Sequence, residues 1–336
     1  MKQMAAHISR REFLPILAGA ALWPVAARAQ QPEKIRRVGV LPVGYRPDDP
    51  EGQARMAALL DTLRKLGWSE GRNIRVEVRW SDTEIEGITQ QTAALIDSAP
   101  DVLVISSNSA LAILQKLNKT VSAVFVQISD PVGSGFVGSL SHPDGNLTGF
   151  QNFEPAIGGK WLGLLKEVAP GIVQAGVIMH PDTAVHFEFL RAVETVAPSL
   201  GVQVSAIRVR DGDETARGIA QFADTLNAGL IVLPHPVNIT NRALLVELTA
   251  RLRLPAIYPY NYFPAAGGLI SYGFDQLEQW RGAAGYVDRI LRGARPGDLP
   301  VQAPTRYELI VNLRAAQALG LAISPSLLAA AHEVIE

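Results

Sequence analysis

One feature constrains this chain most. Short apolar runs alternate with amphipathic segments through two successive stretches, and one turn-rich segment separates the stretches. Residues 38–43, 101–105 and 123–128 are nearly continuous apolar runs of strand length. Residues 74–80 alternate instead, with Ile74, Val76, Val78 and Trp80 on one side and Arg75, Glu77 and Arg79 on the other. That pattern predicts a half-exposed strand. Between these runs, residues 55–66 carry apolar side chains at helical spacing and stop at Gly67. Thr83 and Glu86 match a capping box for a helix running to about Ser98, and another helix is expected over 108–118. Residues 129–149 break the rhythm with Pro131, Gly133, Gly135, Gly138, Pro143, Gly145 and Gly149. The alternation then restarts. Helices are predicted over 156–168, 183–200, 214–226 and 241–252, with strands over 175–179, 202–209, 230–233 and 256–258. A strand at 269–272, a helix at 276–292, a Pro/Gly break at 296–300 and two closing helices complete the chain. Strands alternating with helices predict parallel sheets covered on both faces. The expected fold class is α/β, with two doubly wound units of similar size.

Composition narrows the function classes. Of 336 residues, 48% are hydrophobic and 19% charged, enough apolar surface for large cores. Lys plus Arg total 31 against 32 acidic residues, so the net charge is −1 and no nucleic-acid footprint is present. With no cysteine, disulfides, thiolate nucleophiles, Fe–S clusters and Cys-ligated zinc are excluded. The N-terminus has the layout of an export signal. Ser9-Arg10-Arg11-Glu12-Phe13-Leu14 precedes an apolar run of about 14 residues, too short for a membrane span of ~20, and Ala27-Arg28-Ala29 follows. The paired arginines resemble a bacterial twin-arginine signal. Cleavage after Ala29, use of the twin-arginine export machinery and a periplasmic location are the expectations.

The usual catalytic signatures are missing. Residues 133–138 spell G-x-G-x-x-G, but Asp130-Pro131 intervenes after the strand and no helix opens behind it. Gly159-Lys160 lacks the upstream glycine of a P-loop. There is no H-E-x-x-H among the six histidines, and no G-x-S-x-G. Neither a cofactor nor a metal is expected, and no catalytic residue is assigned.

The candidate site residues lie at strand C-termini, where open parallel sheets bind ligands. In the first unit these are Ser106, Ser107 and Asn108, then Ser129 and Asp130. In the second they are Asp182, His235 and Asn238, followed by the aromatic cluster containing Tyr258, Tyr260 and Tyr262. The serines and Asn108 open a helix whose N-terminus favours an anionic group. Asp130 and Asp182 stand where an amine would be received, so a zwitterion is the expected ligand. Helix capping, turn initiation and core packing are the competing roles of the same residues.

Several segments carry a resemblance when taken together: residues 129–133 (Ser-Asp-Pro-Val-Gly), 143–149 (Pro-Asp-Gly-Asn-Leu-Thr-Gly), 159–167 (Gly-Lys-Trp-Leu-Gly-Leu-Leu-Lys-Glu), 267–273 (Gly-Gly-Leu-Ile-Ser-Tyr-Gly), 299–301 (Leu-Pro-Val) and Asn312-Leu313. With these, the whole mature chain resembles the ABC-transporter substrate-binding family that includes tryptophan/tyrosine-type binding proteins. Asp144 stands where that family often has Gly, and Trp161 and Gly163 replace commoner polar residues, differences expected to affect surfaces. The resemblance implies a type I periplasmic binding fold, with two α/β lobes joined by a three-crossover hinge. Crossovers are expected near 149–152, 260–264 and 297–303. The N-terminal lobe would then be 36–149 plus 264–297, and the C-terminal lobe 150–263 plus 298–336. It further implies a monomer that binds a small solute and docks on ABC permease subunits in the inner membrane. A secreted α/β enzyme without a local motif, or a solute sensor for a membrane kinase, are the alternatives left open by the residues.

Overall fold

A computed structural model of the chain describes residues 35–336; the export segment at 1–29 lies outside the described residues. The order in the first half is β1 (Arg36–Leu41), α1 (Pro50–Lys65), β2 (Ile74–Val78), α2 (Ile85–Asp97), β3 (Val102–Ser106), α3 (Asn108–Leu117), β4 (Ala123–Ile128) and β5 (Leu147–Gln151). The chain continues through α4 (Ile157–Val168), β6 (Gln174–Met179), α5 (Ala184–Val196), β7 (Gln203–Arg208), α6 (Gly212–Ala223) and β8 (Ala228–Val232). Next come α7 (Pro236–Thr240), α8 (Arg242–Arg251), β9 (Ala256–Tyr258), α9 (Tyr262–Ala265), β10 (Ile270–Gly273) and α10 (Gln276–Leu291). The last elements are β11 (Glu308–Asn312), α11 (Leu313–Leu319), α12 (Pro325–Ala330) and β12 (Glu333–Ile335).

Two sheets result. The first is wholly parallel in the order β2-β1-β3-β4-β5. Its inner strands are apolar throughout because both faces are covered. Val38, Val40, Val102 and Val104 face the α1 and α10 side with Leu59 and Trp280, while Leu103, Ile105 and Phe125 face the α2 and α3 side with Leu95 and Leu111. The second sheet runs β12-β11-β10-β9-β8-β6-β7, with β11 antiparallel to β10. The α/β class expected from the alternation is the one observed.

The chain passes between the sheets in a different place from that expected. Residues 264–297 were assigned to the first unit, with a crossover near 260–264. Instead α9 is a single short turn, and the chain folds back at once to add β10 beside β9, with Ile270 opposite Ile257. The passage falls between Gly273 and Gln276, and α10 alone then packs on α1 and β4 of the first sheet. The crossover near 260–264 that the resemblance implied is instead a tight turn inside the second sheet, flanked by Pro259 and Pro264. The turn-rich segment also hides β5, which follows Gly145 and pairs with β4. The Thr83–Glu86 capping box is not formed: α2 begins one residue later, and Glu84 at its N-cap makes no side-chain bond. One other expectation changes, while Asp144 does lie on the surface, left-handed at φ +58°, a conformation that suits glycine. Trp161, expected on a surface, is 1% exposed.

Candidate functional site

Consider the carboxyl ends of the strands. In β3, Ser106 turns its Oγ inward, accepting from Val43 N at 2.9 Å and donating to Leu41 O at 3.3 Å. Ser107 follows in a left-handed conformation, φ +78°, and its Oγ caps α3 by accepting from Ala110 N. Asn108 clamps the end of β4: its Oδ1 accepts from Ser129 N at 3.0 Å and its Nδ2 donates to Ser129 O at 2.8 Å. Ser129 in turn donates to Asn152 Oδ1 at 2.8 Å. Gln127 is also left-handed, φ +58°, at an irregularity in the β4–β5 pairing between Phe125 and Ile128. Three non-glycine residues with positive φ, Ser107, Gln127 and Asp130, therefore crowd one edge of the first sheet. Such conformations each cost about 1–3 kcal/mol and gather where function over-determines the backbone.

The second sheet meets this edge with three histidines. His180 stacks on His235 at 4.3 Å between ring centroids, and His186 approaches His235 edge-on at 5.4 Å. His186 Nδ1 accepts from His180 N at 2.8 Å, so its proton sits on Nε2, 3.2 Å from Pro234 O. Burial pushes the His186 pKa down to about 4, and burial likewise depresses His235 and, less, His180. The trio is neutral at pH 7. Among the described residues no group of His, Asp and Glu could hold a metal ion.

A narrow cavity of about 30 Å³ lies between the two sheets. Ser106, Ser107, Asn108, Gln127 and Asn152 line one wall; Thr183, His186, His235 and Tyr260 line the other. The first-turn N–H groups of α3 and α5, which a helix leaves without internal acceptors, belong to these two walls. Thr183 makes no side-chain cap on α5, so its hydroxyl is not spent on the helix. Contacts close the rim. Thr240 Oγ1 donates to Gly44 O at 3.1 Å, and Arg242 pairs with Asp49 at 2.8 Å. The other Asp49 oxygen caps α1 through Glu51 N.

Of the residues singled out from sequence, Ser106, Ser107, Asn108, Ser129, His235 and Tyr260 come together here. Asp130, Asp182, Asn238 and Tyr258 lie outside the lining. Asp130 holds its own turn through Gly133 N, and Asp182 is 67% exposed and pairs with Arg210. Asn238 donates to Leu233 O inside the second unit. Tyr258 is fully buried, stacked on Phe263 and bonded to Thr249. The turn and core roles of these residues prevail over the ligand roles. Sequence reasoning missed Gln127, Asn152, Thr183 and His186. Gln127 had a signal, since it is the one polar residue in the apolar run of β4.

The depressed His186 has a consequence for stability. Its ordinary pKa of 6.5 applies in the unfolded chain, where it binds a proton that the folded site refuses. Stability is therefore full above about pH 6.5 and falls as pH drops from there toward 4. Between pH 7 and 5 this one group accounts for about 2 kcal/mol. Urea denaturation at the two pH values should show at least that loss, and His186→Gln should reduce it, the buried His235 keeping the rest; a wild type equally stable at pH 5 would refute the assignment.

Comparison with known proteins follows the geometry. Residues 48–335 match the family model described as ABC transporter substrate binding protein. A tyrosine-binding protein of Clostridioides difficile is 21% identical over 265 residues, covering 78% of this chain and 75% of the relative. Two solved structures superpose at TM-score 0.82, each covering 90% of this chain and 100% of the other. One is a conserved domain protein from Vibrio cholerae, 24% identical. The other is an ABC domain in complex with L-Trp from Streptococcus pneumonia, 21% identical. The fold is that of type I periplasmic binding proteins. Its two sheets, its cleft at their carboxyl edges and the match over most of its length place this chain in one group: it belongs to the ABC transporter substrate binding protein family.

Proposed function

We propose that this protein is the extracytoplasmic solute-binding component of an ABC importer. It takes an amino acid or related small carboxylate into the cleft between its two lobes and presents it to permease subunits in the inner membrane. The observation that carries this reading is the cavity lined from both sheets by polar groups at strand C-termini. The rim contacts Thr240–Gly44 and Arg242–Asp49 support a closed arrangement that hinge motion opens. The tyrosine-binding relative and the L-Trp complex support an amino acid, and both of those solutes carry a carboxylate.

One part of the zwitterion expectation changes. No acidic side chain lines the cavity, so an ammonium group would rest on neutral oxygens such as those of Asn152 and Gln127. Carboxylates without an amine therefore belong in the same ligand set. Arg10-Arg11 and Ala27-Arg28-Ala29 support export by the twin-arginine route, cleavage after Ala29 and a periplasmic mature protein.

A thermal-shift screen of amino acids, aromatic acids and aliphatic acids, followed by calorimetry, tests the reading. A ligand that binds only the folded state at 100 times its Kd stabilises by about 2.7 kcal/mol. The expected result is a carboxylate that raises the melting temperature and binds one to one. A solute that is turned over to product would instead favour an enzyme.

A further inference from the structure

Beside Gln127 and Tyr260 of this cleft, though not themselves in its lining, four buried polar atoms have no hydrogen-bond partner: Tyr45 Oη, Arg55 Nε, Tyr262 Oη and Gln276 Nε2. They come from three segments of the first sheet's unit and from α9 of the second. Arg55 is only 1% exposed, Tyr45 2%, Gln276 3% and Tyr262 7%. The Arg55 guanidinium is almost fully committed. Its Nη1 holds Glu51 at 2.9 Å and its Nη2 donates to Gln276 Oε1. Tyr45 lies 4.8 Å from it on one face and Tyr262 lies 5.7 Å away. What remains is the Nε–H and one Nη2–H.

The orientation of Gln276 is forced. Its Oε1 accepts from both Gln127 Nε2, at 2.7 Å, and Arg55 Nη2, so its amide nitrogen must be the unpaired end. Burial raises the Tyr262 and Tyr45 pKa values, so both hydroxyls keep their protons at neutral pH. Gln127 is the uncharged polar side chain nearest in effect to the Tyr45 hydroxyl, and it opposes the burial that raises that pKa. Gln127 and Tyr260 also join this cluster to the cavity: both line it, Gln127 bonds Gln276, and the Tyr260 ring is 5.5 Å from that of Tyr262. The unspent groups are thus guanidinium N–H, an amide NH₂ and two hydroxyls, beside an arginine that also pairs with Glu51. The nitrogens can only donate, and each hydroxyl can turn to donate as well. An ionised carboxylate has about four lone-pair sites and accepts all of them.

We propose that Arg55, Tyr45, Tyr262 and Gln276 form the carboxylate subsite of this cleft, a site distinct from the α3 N-terminus. The proposal rests on the reading of the cleft as a solute site and names the group it selects. Because Arg55 and Tyr262 come from opposite lobes, a carboxylate held by both also couples binding to closure.

Acid and amide pairs test it: L-tyrosine with L-tyrosinamide, L-tryptophan with L-tryptophanamide, benzoate with benzamide, and 4-hydroxyphenylpropionate with its amide. Calorimetry on wild type, Tyr45→Phe and Tyr262→Phe should show at least one acid that binds while its amide binds about 10-fold or more weaker. Each Phe variant should lose about 10-fold for that acid and melt no lower than wild type without ligand, since the hydroxyl removed has no partner. Equal affinity for acid and amide, or Phe variants that bind as wild type does, would overturn the subsite and leave the cleft reading standing; unchanged affinity would mean that the donors serve an ordered water only. Failure of every acid in the set would overturn both.

Discussion

Gly149→Ala should destabilise the folded protein by about 3–5 kcal/mol, from steric overlap plus a backbone forced outside its allowed region. Gly149 sits in β5 at φ +152°, a conformation essentially closed to residues with a Cβ. It stands directly opposite Phe125 of β4. An added Cβ would overlap the Phe125 carbonyl oxygen and lie 2.6 Å from the Phe125 nitrogen. Both are backbone atoms in the middle of the first sheet, so neither can rotate away. Urea denaturation measures the loss as a lower midpoint; a change below about 1 kcal/mol would show that the β4–β5 pairing is not as described.

Trp161→Ala should cost about as much, 3–5 kcal/mol, and for a different reason. The side chain is 1% exposed and packs edge-on against Phe153 at 5.2 Å and near Phe189 at 5.7 Å. Its indole N–H donates to Tyr272 O at 2.9 Å, tying α4 to β10. Truncation leaves a cavity and strands that carbonyl. Trp161→Phe keeps most of the packing and should lose about 1–3 kcal/mol for the unsatisfied carbonyl and the smaller ring. Equal losses for the two variants would mean that the hydrogen bond, not the volume, holds the helix.

These two positions illustrate what the sequence discloses. The β/α alternation was legible because buried parallel strands read as continuous apolar runs, and Val102 to Ile105 point to opposite faces yet are all apolar. β5 was not legible, since Leu147-Thr148-Gly149 follows a Gly/Pro-rich turn and its glycine is demanded by a close approach to β4. The passage after β10 left no mark of its own, because Phe274 and Asp275 between β10 and α10 form a connection too short for a composition shift.

The cleft was half legible. Polar residues at strand ends pointed to Ser106, Asn108 and Ser129, but sequence cannot tell an aspartate that closes its own turn, such as Asp130, from one that faces a ligand. Arg55 did leave a trace. The buried face of α1 is Gly52, Arg55, Met56, Leu59 and Leu63, and an arginine on an apolar stripe signals a buried charge that needs a partner. One partner, Glu51, lies four residues back on the same helix, but the other, Gln276, is more than two hundred residues away and only the fold reveals it.

The central claim is that a small carboxylate sits between the lobes, with its charged end on the donors around Arg55. A crystal structure of the protein with the acid that calorimetry identifies tests this most directly. The account predicts ligand density in the cleft lined by Asn152, Tyr260 and His235, with carboxylate oxygens about 2.7–3.0 Å from Arg55 Nε and from the Tyr262 hydroxyl. Density for the ligand outside this cleft, or in the cleft with its carboxylate turned away from Arg55, would contradict it.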